Sequence, residues 1–324
     1  MMLMKKYHAV FSGETGFFNE LDGIYEIEGY ILTPCLRTKK DQHRACAKFA
    51  LAFDFYGLDE KGVAASSERE RRHWINMAKS IPIAKEFVAW LVLATGKWAR
   101  LSSGSYGPAS TFGPSIHEPI KDFDKSVMET IFHVDKNAKK GEFFEVKRPS
   151  FSLDGSPIEF RTLQLPSDFP RLTKKMFSLR KKEREEFLNA CFSYQFALEN
   201  WGSYPTVSIL SLVSAVESMM TDEYTSSFCK DANRQCRLKK DVMKKFRAFF
   251  ERNLQFPLPR ELESFLNSVY SKRSTYVHKA LLGEGEVRGI QFGVPYEKVL
   301  QLRTEQRKLI TLVNAALMEW LERI

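Results

Sequence analysis

An arginine and a histidine lie five positions apart in SVYSKRSTYVHKALLGEG, residues 268–285; they are Arg273 and His278. A guanidinium beside an imidazole is a pair suited to phosphodiester cleavage. The imidazole can take a proton from a ribose 2′-hydroxyl or give one to a leaving oxygen. The guanidinium can hold the phosphate and stabilise the charge added in the transition state. With the 2′-hydroxyl as nucleophile this chemistry calls for no metal and no cofactor.

The helix that must carry the pair reads as residues 261–282. With Arg273 at zero on a helical wheel, Leu262, Leu266, Val269, Val277 and Ala280 all fall within about 40° of it. His278 falls about 140° away, near the edge of that apolar face. An unpaired guanidinium cannot stay in a dry core, so Arg273 needs an anion, a wet cleft or a partner chain. Glu217, in TVSILSLVSAVESMM, supplies a candidate, because it shares a helix face with Leu210 and Val213. The economical inference is that the two helices meet and that Glu217 holds Arg273. Alone, such a pair is a structural feature of small net stabilisation; the neighbouring histidine gives it a chemical reading. Tyr276, one turn from Arg273, can stack a base or simply pack.

Spacing by itself decides little. With 6 histidines in the chain, about one Arg–His coincidence is expected by chance when gaps of four to six residues are all allowed. Arg37 and His43 form a second match, in a polar, lysine-rich stretch with no apolar helix around it. His43 with Cys46 lacks the second pair a metal site needs, and His73 reads as a surface residue at a charged helix start.

The wider sequence supplies the setting. It has 324 residues, 44% hydrophobic, with a net charge of +9; this allows two domains with sizeable cores and favours a polyanionic partner. Five cysteines with no Cys-x-x-Cys pair fit reduced thiols in a cytosolic protein. No apolar run is long enough for a signal peptide or a membrane span, so the expectation is a cytoplasmic protein away from membranes. Residues 1–170 mix strand patterns (GIYEIEGYILT, CAKFALAFDFYG) with one long helix, SSERERRHWINMAKSIPIAKEFVAWLVLATG, broken or kinked at Pro82. In CAKFALAFDFYG, Phe49, Leu51, Phe53 and Phe55 share one face. Residues 102–119 read as an exposed loop, and a hairpin is expected around Asp154–Gly155. From residue 171 strand signals vanish, and helices are expected near 182–201, 206–221, 237–253, 261–282 and 295–323. The connections are short enough for an antiparallel bundle. Two basic stretches, RLTKKMFSLRKKER and CRLKKDVMKKFRAFFERN, are either phosphate grips or solvated helix faces. There is no Walker loop, dinucleotide fingerprint or nucleophile elbow.

LNSVYSKRSTYVHKA resembles the last core helix of HEPN domains, whose signature is Arg, four to six residues, then His. ACFSYQFALENWGSYPTVSILSLVSAVESMM is similar to the paired helices of the Apea-like HEPN branch, where an apolar helix ends in an alanine-x-glutamate segment. The resemblance covers residues 185–285. It implies an all-α bundle in residues 171–324, a homodimer whose two Arg–His pairs share one cleft, and a metal-independent endoribonuclease of phage defence, abortive infection or a toxin-like system. Carried over, Arg273 and His278 are the active pair, with Glu217, Ser274 and Tyr276 in support. Many members carry Asn, Asp or His after the arginine and a small residue after the histidine; here these are Ser274 and Lys279. The expectation is therefore an α+β domain, 1–170, that senses a trigger or shapes the substrate, followed by a HEPN-like bundle acting on RNA, with a possible regulatory partner protein. The alternative is an inactive HEPN scaffold that binds RNA, nucleotide or a partner protein. A third reading is a helical partner-binding protein whose arginine pairs across a dimer seam.

Overall fold

Alternating residues near the start of the chain build a sheet. The computed structural model describes residues 4–15, 20–35, 47–58, 66–101, 135, 137–145, 162–220, 224–229, 234–239, 242–254, 256–279 and 296–324. Strand β1 (Met4–Thr15) pairs antiparallel with β5 (Ala47–Leu58) along its whole length, from Met4–Leu58 to Thr15–Ala47. The sheet order is β3 (Tyr25–Ile27), β4 (Tyr30–Pro34), β5, β1, β6 (Ala99–Leu101), with every pairing antiparallel. A short parallel pair joins β2 (Glu20–Leu21) to β7 (Thr162–Leu163). Glu28 and Gly29, between β3 and β4, have φ of 47° and 85°; a two-residue type I′ hairpin requires both to be positive. Phe49, Leu51, Phe53 and Phe55 of β5 are buried, and so are Ala50 and Ala52 between them. That stretch of β5 is therefore covered on both sides.

Helix α1 (Ser66–Thr95) runs through Pro82 as one helix, so the expected break there is absent. Pro82 has no N–H for the Ala78 carbonyl, but every residue from Phe87 to Leu93 is buried. Burial of that run, at about 1.5–3 kcal/mol for each large side chain, outweighs one lost hydrogen bond of about 1 kcal/mol. The helix stops at Gly96, whose φ of 64° is the left-handed value that glycine takes at a helix end.

Helix α2 (Phe169–Ser178) is an element the sequence reading did not contain. Its signals are Pro170 at the start and the buried series Phe169, Leu172, Thr173, Met176. It packs on α1: Trp90 stacks on Phe169 at 5.5 Å, and its Nε1–H donates to Thr173 Oγ1 at 2.8 Å. The Thr173 hydroxyl in turn donates to the Phe169 carbonyl at 2.7 Å. The chain divides into two units between Phe177 and Ser178, later than the change of character at 170/171, because these contacts tie α2 to α1.

The second unit holds α3 (Lys181–Glu199), α4 (Pro205–Glu217), a hairpin of β8 (Tyr224–Cys229) and β9 (Arg234–Lys239), α5 (Val242–Leu254), α6 (Arg260–Lys279) and α7 (Tyr296–Arg323). Helix α4 touches all four other helices of the unit. Its composition explains the place: Thr206, Ser208, Ile209, Ser211, Leu212, Val213, Ala215 and Val216 are all buried, and a helix apolar on every side belongs in the middle. The hairpin corrects the expectation that strands end with the first half. YTSSFC carries two aromatic residues and a β-branched threonine, residue types that favour strands. It also delays the following helix, from the expected 237 to Val242. Helix α4 stops at Glu217, earlier than the expected 221, in a turn closed by Met220 N–H on the Glu217 carbonyl at 3.2 Å. The 102–119 loop, the Asp154–Gly155 hairpin and Arg37–His43 lie outside the described residues. Among the described residues no helix is long and apolar enough to cross a membrane, and Cys35 and Cys191 are free thiols.

Two outcomes follow. Thr173→Val keeps the volume but strands the Trp90 N–H, so it should cost about 1–3 kcal/mol in urea unfolding; an unchanged midpoint would show that this bond does not anchor α2. Burial pushes the Cys191 thiol well above its usual 9.0. The folded chain keeps that proton where the unfolded chain releases it, so stability held below about pH 9 is lost as pH rises beyond it. The urea midpoint should fall from about pH 8 to about pH 10, and fall less in Cys191→Ala; equal falls would clear the thiol.

Candidate functional site

Helix α6 follows Pro257 and Pro259, with Glu261 and Glu263 in its first turn. Carboxylates there suit the positive end of the helix dipole. Leu262, Leu266 and Val269 form a fully buried stripe. The next residue on that stripe is Arg273, whose side chain is 28% exposed. The stripe thus leaves the core at a guanidinium.

Arg273 meets Glu217, the last residue of α4. Its Nη2 donates to Glu217 Oε2 at 2.9 Å. The other carboxylate oxygen, Oε1, accepts the Tyr270 hydroxyl at 2.9 Å. Two donors on one helix therefore fix the plane of a carboxylate on another. The Tyr270 ring lies 5.9 Å from the Arg273 Cζ and packs on Phe246 of α5, centroid to centroid 5.2 Å. Charge, hydroxyl and ring join α4, α5 and α6 around one guanidinium. A guanidinium has five N–H donors; among the described residues Arg273 hydrogen-bonds to Glu217 alone.

Two further ion pairs hold α6. Arg247 of α5 bonds to Glu263, and Lys272 bonds to Glu305 of α7. Each of the three helices that α6 faces thus receives one charge pair. Half-exposed pairs contribute about 0–1 kcal/mol each, whereas each buried Leu or Val of the stripe contributes about 1.5–3 kcal/mol. The apolar stripe packs the helix, and the pairs choose its rotation.

The structure brings together Glu217 and Arg273 of the sequence-derived set. Ser274 and Tyr276 flank Arg273 on α6, both half-buried. His278 lies in the last turn of α6, five positions beyond Arg273, and its side chain lies outside the described residues. Tyr270 was missed, although it sits three residues before Arg273 on the same side of the helix, with a hydroxyl to offer. Of the first basic stretch, Arg180 pairs with Glu183, Lys181 with Glu185 and Lys182 with Glu186. Those cations face carboxylates of their own helix. In the second, Arg237 and Lys239 fall on β9; on α5, whose Phe246, Phe249 and Phe250 are buried, Lys244 and Arg252 are exposed and Arg247 is the partner of Glu263. Among the described residues no group of three or more His, Cys, Asp or Glu side chains could hold a metal ion.

The chain matches no family model, no curated protein and no solved structure.

A double-mutant cycle with Glu217→Gln and Arg273→Gln should return a coupling of about 0.5–1 kcal/mol. A coupling of zero would mean that the pair does not hold the helices in register.

Proposed function

We propose that this chain is a cytosolic, metal-independent endoribonuclease of the HEPN type, working as a homodimer in phage defence or a toxin-like system. One observation carries the reading: Arg273 is held by Glu217 at 2.9 Å on the helix that also bears His278. A fixed cation loses less freedom when it binds a phosphate than a mobile one does.

The reaction uses only groups on the RNA and on the protein. A neutral imidazole of His278 takes the proton of a ribose 2′-hydroxyl. That oxygen attacks the adjacent phosphorus, and the bond from phosphorus to the 5′-oxygen breaks. The departing oxygen takes a proton from a protonated imidazole, which the second copy's histidine supplies in a shared cleft. The products are a 2′,3′-cyclic phosphate and a 5′-hydroxyl. Arg273 donates to the non-bridging oxygens as their charge rises. Glu217 and Tyr270 are positioning residues, acting through Arg273. The α+β unit then senses a trigger or shapes the substrate.

A second reading, an inactive scaffold binding RNA, nucleotide or a partner protein, draws on Ser274, which stands where many HEPN members carry Asn, Asp or His. One assay separates the two. End-labelled single-stranded RNA and a tRNA mixture are incubated with the protein in excess EDTA. The wild type should cut them, leaving cyclic phosphate ends and sparing 2′-O-methyl positions. Arg273→Ala and His278→Ala should each lose at least about 100-fold in rate while keeping wild-type circular dichroism. Cutting that survives loss of His278 would sink the mechanism; a dimeric wild type that cuts nothing would leave the scaffold.

A further inference from the structure

The helical unit has a second place where rings and cations come together. Phe196, in the last turn of α3, is 50% exposed, and Tyr204, the residue before α4, is 54% exposed. Two such rings in water forgo the burial that drives folding. The junction between them is firmly built. Asn200 Nδ2 donates to the Phe196 carbonyl at 2.8 Å, and the Tyr204 N–H donates to the Asn200 carbonyl at 2.9 Å. Trp201, between them, is held by α7: Gln306 Nε2 donates to its carbonyl at 3.3 Å, and Arg307 Cζ lies 5.5 Å from its ring centroid.

Helix α7 brings charge to the same place. Arg303 and Arg307 are both exposed and four residues apart. Like charges at that spacing repel each other, and an anion lying across them relieves the repulsion. Leu300, 43% exposed, continues the same face.

We propose that the α3–α4 junction and the facing turns of α7 bind single-stranded RNA. Bases stack on Phe196 and Tyr204, and phosphates lie along Arg303 and Arg307. Rings interleaved with cations suit this ligand because every base offers a π-face and every linkage a charge. The inference takes RNA as the partner class from the endoribonuclease reading, but it involves none of the residues assigned to cleavage.

The test is fluorescence anisotropy with a labelled 2′-O-methyl oligonucleotide, which binds and cannot be cut, run beside cleavage of unmodified RNA. The wild type should bind it. Phe196→Ser/Tyr204→Ser should weaken binding by about tenfold per ring and raise KM for long RNA while sparing kcat. Arg303→Gln/Arg307→Gln should lower the slope of log affinity against log salt by about 1.4, roughly 0.7 for each lost phosphate contact. Both variants are surface changes, and circular dichroism checks their folds. Binding by the ring variant equal to wild type overturns the platform, even if the wild type cuts RNA. So does a wild type that fails to bind, or a ring variant that turns a wild-type dimer into a monomer, which would assign the rings to a protein interface. Binding that needs the rings in a protein that never cuts supports the platform and removes the endoribonuclease reading.

Discussion

A guanidinium at the end of an apolar stripe is the constraint around which the helical unit is arranged. Leu262, Leu266 and Val269 commit one face of α6 to the core, and the next place on that face is Arg273. Packing pulls the stripe inward, while the charge resists losing water. The conflict is resolved where α4 ends. That helix is buried on nearly all sides along its length, and its last residue is a carboxylate, Glu217. Helix α4 therefore reaches the rim of the core where α6 presents its arginine. The Tyr270 hydroxyl takes the second carboxylate oxygen, so that each oxygen of Glu217 has a donor on α6.

The same arrangement explains why the cation is fixed but not sealed in. A fully buried pair bears a desolvation cost that often exceeds its attraction. At 28% and 22% exposure, Arg273 and Glu217 keep some water and still make a hydrogen bond of good length. A residue in this position is held firmly enough to orient and remains open enough to meet a ligand.

Much of this was legible in the sequence, because local periodicity carries it. The wheel of α6 put Arg273 on the apolar face, and the composition of α4 put Glu217 on another; two charges with nowhere else to go must meet. What the sequence concealed depends on partners far along the chain. Tyr270 is one more half-apolar residue until a carboxylate 53 positions away gives its hydroxyl a role. Helix α2 is short, and its burial rests on Trp90 from a different segment. Pro82 reads as a breaker, because local rules count the missing hydrogen bond but not the buried run from Phe87 to Leu93 that holds the helix together. The β8–β9 hairpin was lost to a basic stretch whose helical period, from Val242 onward, was extended too far back. Residues 1–170 gave strands and one helix but no chemistry; several of their described aromatic rings are spent on the core, as in the stack of Tyr30 on Phe87 at 4.1 Å.

The arginines of the helical unit divide by what restrains them, and the division matters for a polyanionic ligand. Arg273 is oriented by a carboxylate, so part of its charge is already answered and its gain from binding a phosphate is small. What it offers is position, which counts most when charge rises in a transition state. Arg303 and Arg307 repel each other at the surface of α7, where Arg307 lies against the ring of Trp201 rather than a carboxylate, so they gain more from any phosphate that approaches. On the proposed reading, affinity and catalysis fall to different residues. A chain that works as proposed would bind RNA loosely over one surface and still demand an exact fit at the other. Grip tuned at Arg303, Arg307 and the exposed rings need not alter the geometry at Arg273, because the two places share no side chain.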